Sequence, residues 1–125
     1  MKFTEHRDSN VNAIKNYEPG LVRINNITLS QSCYITQHNL EENWPCDSIE
    51  HLSTELLEQI FTEKPEVIIL GTGESQHFPA PKFFAFCAAK GIGLEVMAND
   101  AACRTYNVLT TEDRDVVLAL IMNSD

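Results

Sequence analysis

Two short stretches carry the groups whose types and spacing suit chemistry. Gly71, Thr72 and Gly73 follow the apolar run Val67–Leu70 and lead into Glu74, Ser75, Gln76 and His77, while Asn99, Cys103 and Arg104 follow a second run, Gly93–Met97. Glycines at the start of a helix let backbone N–H groups approach a small anion, and His77 and Arg104 would add donors or positive charge. A cysteine near a helix N-terminus and an arginine can instead be held as a thiolate, with His77 as its base, so a Cys103/His77 pair is a second, catalytic reading. No third group that would orient that pair is evident. Nucleotide binding fits poorly: no Gly-Lys-Ser/Thr follows, Gln76 stands where GxGxxG has its third glycine, and Glu74 would repel a pyrophosphate. The plainest alternative is a corner at which glycines end a buried strand.

Whether these stretches meet depends on the elements that carry them. Val67–Leu70 is a continuous β-branched run between Pro65 and Gly71, the pattern of a strand buried on both faces. Residues 79–90 begin with prolines tolerated in a first helical turn, carry Phe83, Phe84, Phe86 and Cys87, and stop at Gly91. Gly93–Met97 is a second strand, Asn99 or Asp100 can cap a helix reaching about Glu112, and Val116–Met122 is a third strand. A strand that crosses through a helix to its neighbour returns parallel to it, so the loops after Leu70 and Met97 open on one sheet edge. Gly71, Thr72, Gly73, Gln76 and His77 are then expected to face Asn99, Asp100, Cys103 and Arg104 across a crevice. Upstream, residues 20–35 alternate around Asn25-Asn26 as an antiparallel hairpin, and Ser53 caps an amphipathic helix with Leu56, Leu57, Ile60 and Phe61.

Composition sets outer bounds. A chain of 125 residues, 43% hydrophobic, suits one α/β domain, read here as residues 17–125 behind an N-terminal tail of residues 1–16. A formal charge of −9 argues against nucleic acid as a partner. Cys33, Cys46, Cys87 and Cys103 form no CxxC pair, and His6, His38, His51 and His77 form no HxxxH pattern, so reduced thiols, no metal and no cofactor are expected. The first twenty residues hold no apolar core of a signal peptide and no later run approaches a membrane span, which reads as a cytoplasmic protein without a transmembrane segment.

LGTGESQHFP, GIGLEVM and AACRTYNVL, preceded by YEPGLVRIN and by Trp44-Pro45, occur in one order from Tyr17 to the C-terminus. Together they resemble the domain shared by the mitochondrial respiratory complex I assembly factor, the adipogenesis-associated domain protein and many bacterial proteins. The resemblance implies a three-layer α/β sandwich around a mixed sheet, with an N-terminal hairpin followed by β-α-β-α-β. It implies no established enzyme activity, and a protein partner, in the mitochondrial members a component of respiratory-complex assembly. Two departures stand out: the family usually has Arg at the position of His77, and a Gly is common near Asp113. A base would be lost in relatives with arginine, whereas a cationic or hydrogen-bonding contact survives either residue, so binding outranks catalysis. The leading reading is a non-enzymatic interaction or assembly module; the alternative is a small-molecule enzyme using Cys103 and His77.

Overall fold

A computed structural model describes residues 11–122. The strands are β1 (Ile14–Glu18), β2 (Leu21–Ile24), β3 (Ile27–Leu29), β4 (Cys33–Ile35), β5 (Leu40–Glu41), β6 (Val67–Gly71), β7 (Gly93–Met97) and β8 (Val116–Leu120). The helices are α1 (Thr54–Phe61), α2 (Pro81–Ala88) and α3 (Asn99–Thr111), with a 3-10 turn at Ile49–His51. β1, β2 and β3 form an antiparallel sheet, and a second, mixed sheet has the order β5-β4-β8-β6-β7. β6 runs parallel to both β7 and β8, while β4 is antiparallel to β8 and β5.

The expected three-layer sandwich follows from the side-chain alternation of the central strands. Ile68 and Leu70 of β6, with Val117 and Ala119 of β8, pack against Leu57 and Ile60 of α1 and Phe83 and Cys87 of α2. Val67 and Ile69, with Val116, Leu118 and Leu120, face the other way onto Ala102, Cys103 and Tyr106 of α3 and onto Ile14, Val22 and Ile24 of the small sheet. Both faces of β6 and β8 are therefore buried, which is why they read as unbroken apolar runs. The connection β6-α2-β7 moves outward and β7-α3-β8 moves back past β6. Right-handed crossovers in opposite directions put α2 and α3 on opposite faces.

Local chemistry fixes the remaining boundaries. Ser53 caps α1 by accepting a 3.2 Å bond from the Leu56 amide. Asn25, at φ +52°, turns the β2–β3 hairpin. The hairpin is shorter than expected, because Cys33–Ile35 leaves it to pair with β8 in the other sheet. β1 begins at Ile14, inside the stretch assigned from sequence to a tail. Asn99 does not cap α3 through its side chain; Ala98 holds the cap position.

Asp113 adopts φ +61° and Lys64 adopts φ +56°. A left-handed conformation costs an ordinary L-residue about 1–2 kcal/mol. Lys64→Gly is expected to raise unfolding stability by about 0.5–1 kcal/mol in urea titration; no gain, or a loss, would show that the Lys64 side chain offsets its backbone strain.

Candidate functional site

The point where successive crossovers diverge lies at the carboxyl ends of β6 and β7, where open α/β sheets leave a crevice for ligands. Here the side chain of Asn99 fills it. Asn99 is 1% exposed. Its Oδ1 accepts a 3.0 Å bond from the Gly73 amide, and its Nδ2 donates to the Ile121 carbonyl at 3.0 Å and to the Tyr17 hydroxyl at 3.1 Å. The backbone answers in kind, with the Asn99 amide donating to the Gly73 carbonyl at 2.8 Å. One amide thus ties the end of β6, the start of α3, the chain after β8 and the small sheet.

The glycines follow from this contact for two different reasons. At Gly71 the backbone is ordinary, but a Cβ would collide with Asn99 Oδ1 and come within 2.7 Å of Leu120 Cδ2. The glycine there is required by space rather than by conformation. Gly73 has φ +105°, which L side chains rarely adopt. Between them Thr72, 1% exposed, braces the turn: its hydroxyl donates to the Ser75 carbonyl at 2.7 Å and accepts from the His77 amide at 3.0 Å. Gln76 Nε2 reaches across to the Val96 carbonyl at 2.9 Å. Tyr17, while accepting from Asn99, donates to Glu74 Oε2 at 2.7 Å. Burial, and then the Glu74 hydrogen bond, push the Tyr17 phenol up to about 12, so it stays a donor at neutral pH.

Gly71, Thr72, Gly73, Gln76 and Asn99 therefore meet as the sequence suggested. Cys103 and Arg104 do not join them. Cys103 is 3% exposed in the core beneath α3, and desolvation, with Cys33 and Asp100 adding, pushes its thiol up to about 12 against the weaker opposing pull of Arg104. Arg104 points to solvent and lies 3.8 Å from Asp100 on its own helix. The backbone donors imagined for an anion are largely committed inside the protein: Thr72 to Met97, Gly73 to Asn99, His77 to Thr72 and Ala101 to Asp100. His77 and Phe78 are exposed at the tip, Phe78 at 68%. Two hollows of about 160 and 290 Å³ lie elsewhere, the first lined by residues that include Gln37, Glu63 and Arg114, the second by Ser32, Trp44 and Asp47 among others.

Sequence reasoning missed Tyr17, Glu74 and Phe78 as parts of this site. Tyr17 opens the YEPG motif, but nothing in its spacing connects it to Asn99, because the link exists only when β1 packs on α3. Phe78 sits in the loop motif, where no periodicity separates an exposed aromatic from a packed one.

The family model for proteins of unknown function DUF498/DUF598 matches residues 14–121. The chain belongs to that family. It is 37% identical over 82 residues to the 13 kDa major membrane protein of Francisella tularensis subsp. holarctica (strain LVS), covering 66% of this chain and 67% of that protein. It is 30% identical over 110 residues to NADH dehydrogenase (ubiquinone) 1 alpha subcomplex assembly factor 3 of Danio rerio, covering 86% of this chain but 63% of that protein. A Xanthomonas campestris protein solved by NMR superposes with a TM-score of 0.84 at 40% identity, over 98% of this chain and 93% of that one. The resemblance to complex I assembly factors drawn from the motifs is borne out. No helix among the described residues is long and apolar enough to cross a membrane.

Asn99→Ala would leave the buried Gly73 N–H and Ile121 C=O without partners, at about 1–3 kcal/mol each. A loss of about 2–5 kcal/mol in urea-monitored unfolding is expected. Asn99→Asp, which keeps the acceptor and loses both donors, is also expected to destabilise the fold at neutral pH. A change below about 0.5 kcal/mol in Asn99→Ala would remove the clamp from the structure's essential contacts.

Proposed function

We propose that the chain is a non-enzymatic, assembly-factor-like module that docks a protein partner through the loop from Gly71 to Phe78, and that it acts at the cytoplasmic face of a membrane respiratory assembly. The observation that carries this is Phe78: an aromatic side chain 68% exposed on a loop whose polar groups are bonded back into the fold. A loop held in this way loses little entropy when a partner covers it, so the apolar area it presents converts efficiently into affinity. The relatives supply the context, one named as a complex I assembly factor and another as a membrane protein. His77, exposed beside Phe78, supplies a hydrogen-bonding group for an acidic segment of that partner. The enzyme reading is less well supported, because a thiol raised to about 12 in the core is a poor nucleophile at neutral pH.

The test is affinity capture from the native cell with identification of the retained proteins, followed by titration of the purified partner. Phe78→Asp is expected to weaken binding about 30-fold or more, the loss typical of an aromatic anchor. His77→Arg is expected to preserve it, since either side chain supplies a hydrogen-bond donor, and Arg104→Ala, outside the loop, to change it by less than about threefold. Equal binding by wild type and a correctly folded Phe78→Asp protein would defeat the docking assignment.

A further inference from the structure

A sheet edge is a template for another strand unless something blunts it. Among the described residues, three of the four edges are blunted. At β1, the Asn107 side chain takes the place of a neighbouring strand, accepting from the Ile14 amide at 3.0 Å and donating to the Ile14 carbonyl at 2.9 Å, next to a register break between Ile14 and Asn16. At β7, Gln76 covers the Val96 carbonyl. β5 is two residues long and runs into Glu41-Glu42. β3 has none of these devices: it carries no charge and no proline, and both Ile27 and Thr28 are exposed.

The register of the hairpin says what β3 offers. Ile24 and Ile27 flank its two-residue turn and form the pair that closes it, so the alternation of antiparallel pairing leaves the N–H and C=O of Thr28 directed at the open edge. Ile27 lies opposite Ile24 and so belongs to the core face, yet it is 44% exposed while Ile24 is 1% exposed. β3 overhangs the core that buries its neighbour. Charge narrows the possible occupants. Each copy carries −9, so repulsion between two copies is least where the contacting segments hold no carboxylate, and no Asp, Glu, Lys or Arg occurs between Arg23 and Glu41, the longest such stretch in the chain.

We propose that β3 pairs antiparallel with β3 of a second copy of this chain, Thr28 opposite Thr28, joining the two small sheets into one sheet of six strands. A two-fold axis through that pair makes the contact self-complementary. Each Thr28 exchanges N–H···O=C bonds with its mate. Ile27 of each copy lies opposite Leu29 of the other on the shared core face, which covers the overhang. The pairing uses none of the residues, Gly71 to Phe78, of the docking assignment. Three-residue strands make a small contact, so the dimer is reversible and concentration-dependent.

Sedimentation velocity from about 10 µM to about 1 mM at ~0.15 M salt reads the outcome directly. The wild-type weight-average mass is expected to climb from monomer towards dimer, and more steeply at higher salt as the like charges are screened. Thr28→Pro removes the edge donor at a position where proline leaves the β2 pairing intact, and Ile27→Lys places a charge in the pair; each is expected to raise the dissociation constant at least about tenfold with an unchanged circular dichroism spectrum. Thr28→Val, which keeps the backbone groups, is expected to associate as wild type does. A wild-type chain that remains monomeric to about 1 mM, or a dimer that neither Thr28→Pro nor Ile27→Lys weakens, overturns the proposal. So does a dimer lost in Phe78→Ala but kept in Ile27→Lys, which would place the contact on the loop.

Discussion

The rest of the molecule is arranged around the carboxamide of Asn99. Opposed right-handed crossovers pull the chain to opposite faces after β6 and after β7, and a gap at that sheet edge is their geometric consequence. Water or a ligand usually satisfies the backbone groups exposed there. In this chain a buried amide does so, with its acceptor on Gly73 and its donors on Ile121 and Tyr17. In low-dielectric surroundings such bonds are strong when complete and costly when broken. Gly71 must then lack a Cβ, Gly73 must take a conformation closed to other residues, and Tyr17 must stay protonated. Through Tyr17 the clamp also fastens the small sheet to the central one.

Filling the crevice changes what the site can do. Backbone amides turned inward are spent on the fold, so the loop presents side chains rather than an anion hole. The same burial that packs Cys103 under α3 keeps its thiol neutral. What remains outside is a braced tip with Phe78 and His77 exposed, a geometry suited to recognition of a surface. The edges obey the same economy of side-chain amides: Asn107 and Gln76 each satisfy strand groups that would otherwise invite a partner, and β3 alone is left unguarded among those described.

Much of the architecture was legible in the sequence because it depends on local pattern. Doubly buried strands show as runs such as VIIL and VVLAL, Ser53 announces α1, and Gly91 closes α2. Chain order and crossover handedness then place Gly73 and Asn99 together without any long-range information. The misreadings arose where distance in sequence hides contact. Cys33–Ile35 continues the hairpin by pattern but pairs with β8, a choice made by the apolar face of the other sheet. Asn99 has the residue type of a cap, and only the packing of β1 and β8 around it turns its side chain inward. Cys103 and Arg104 are adjacent, yet a helix sends one to the core and the other to solvent. The motif AACRTYNVL proves structural for the same reason: Tyr106 bonds the Asn12 carbonyl at 3.0 Å and Asn107 caps β1.

Amide hydrogen exchange at Gly73, read by NMR in the wild-type protein, probes the clamp most directly. Gly73 sits in a loop, where amides ordinarily exchange through small local openings. If Asn99 holds it as described, Gly73 exchanges only with the opening of the central sheet, as slowly as Ile69 and Leu118. Exchange of Gly73 at the rate of the exposed Ser75 amide, while Ile69 and Leu118 stay protected, would contradict the central role of Asn99.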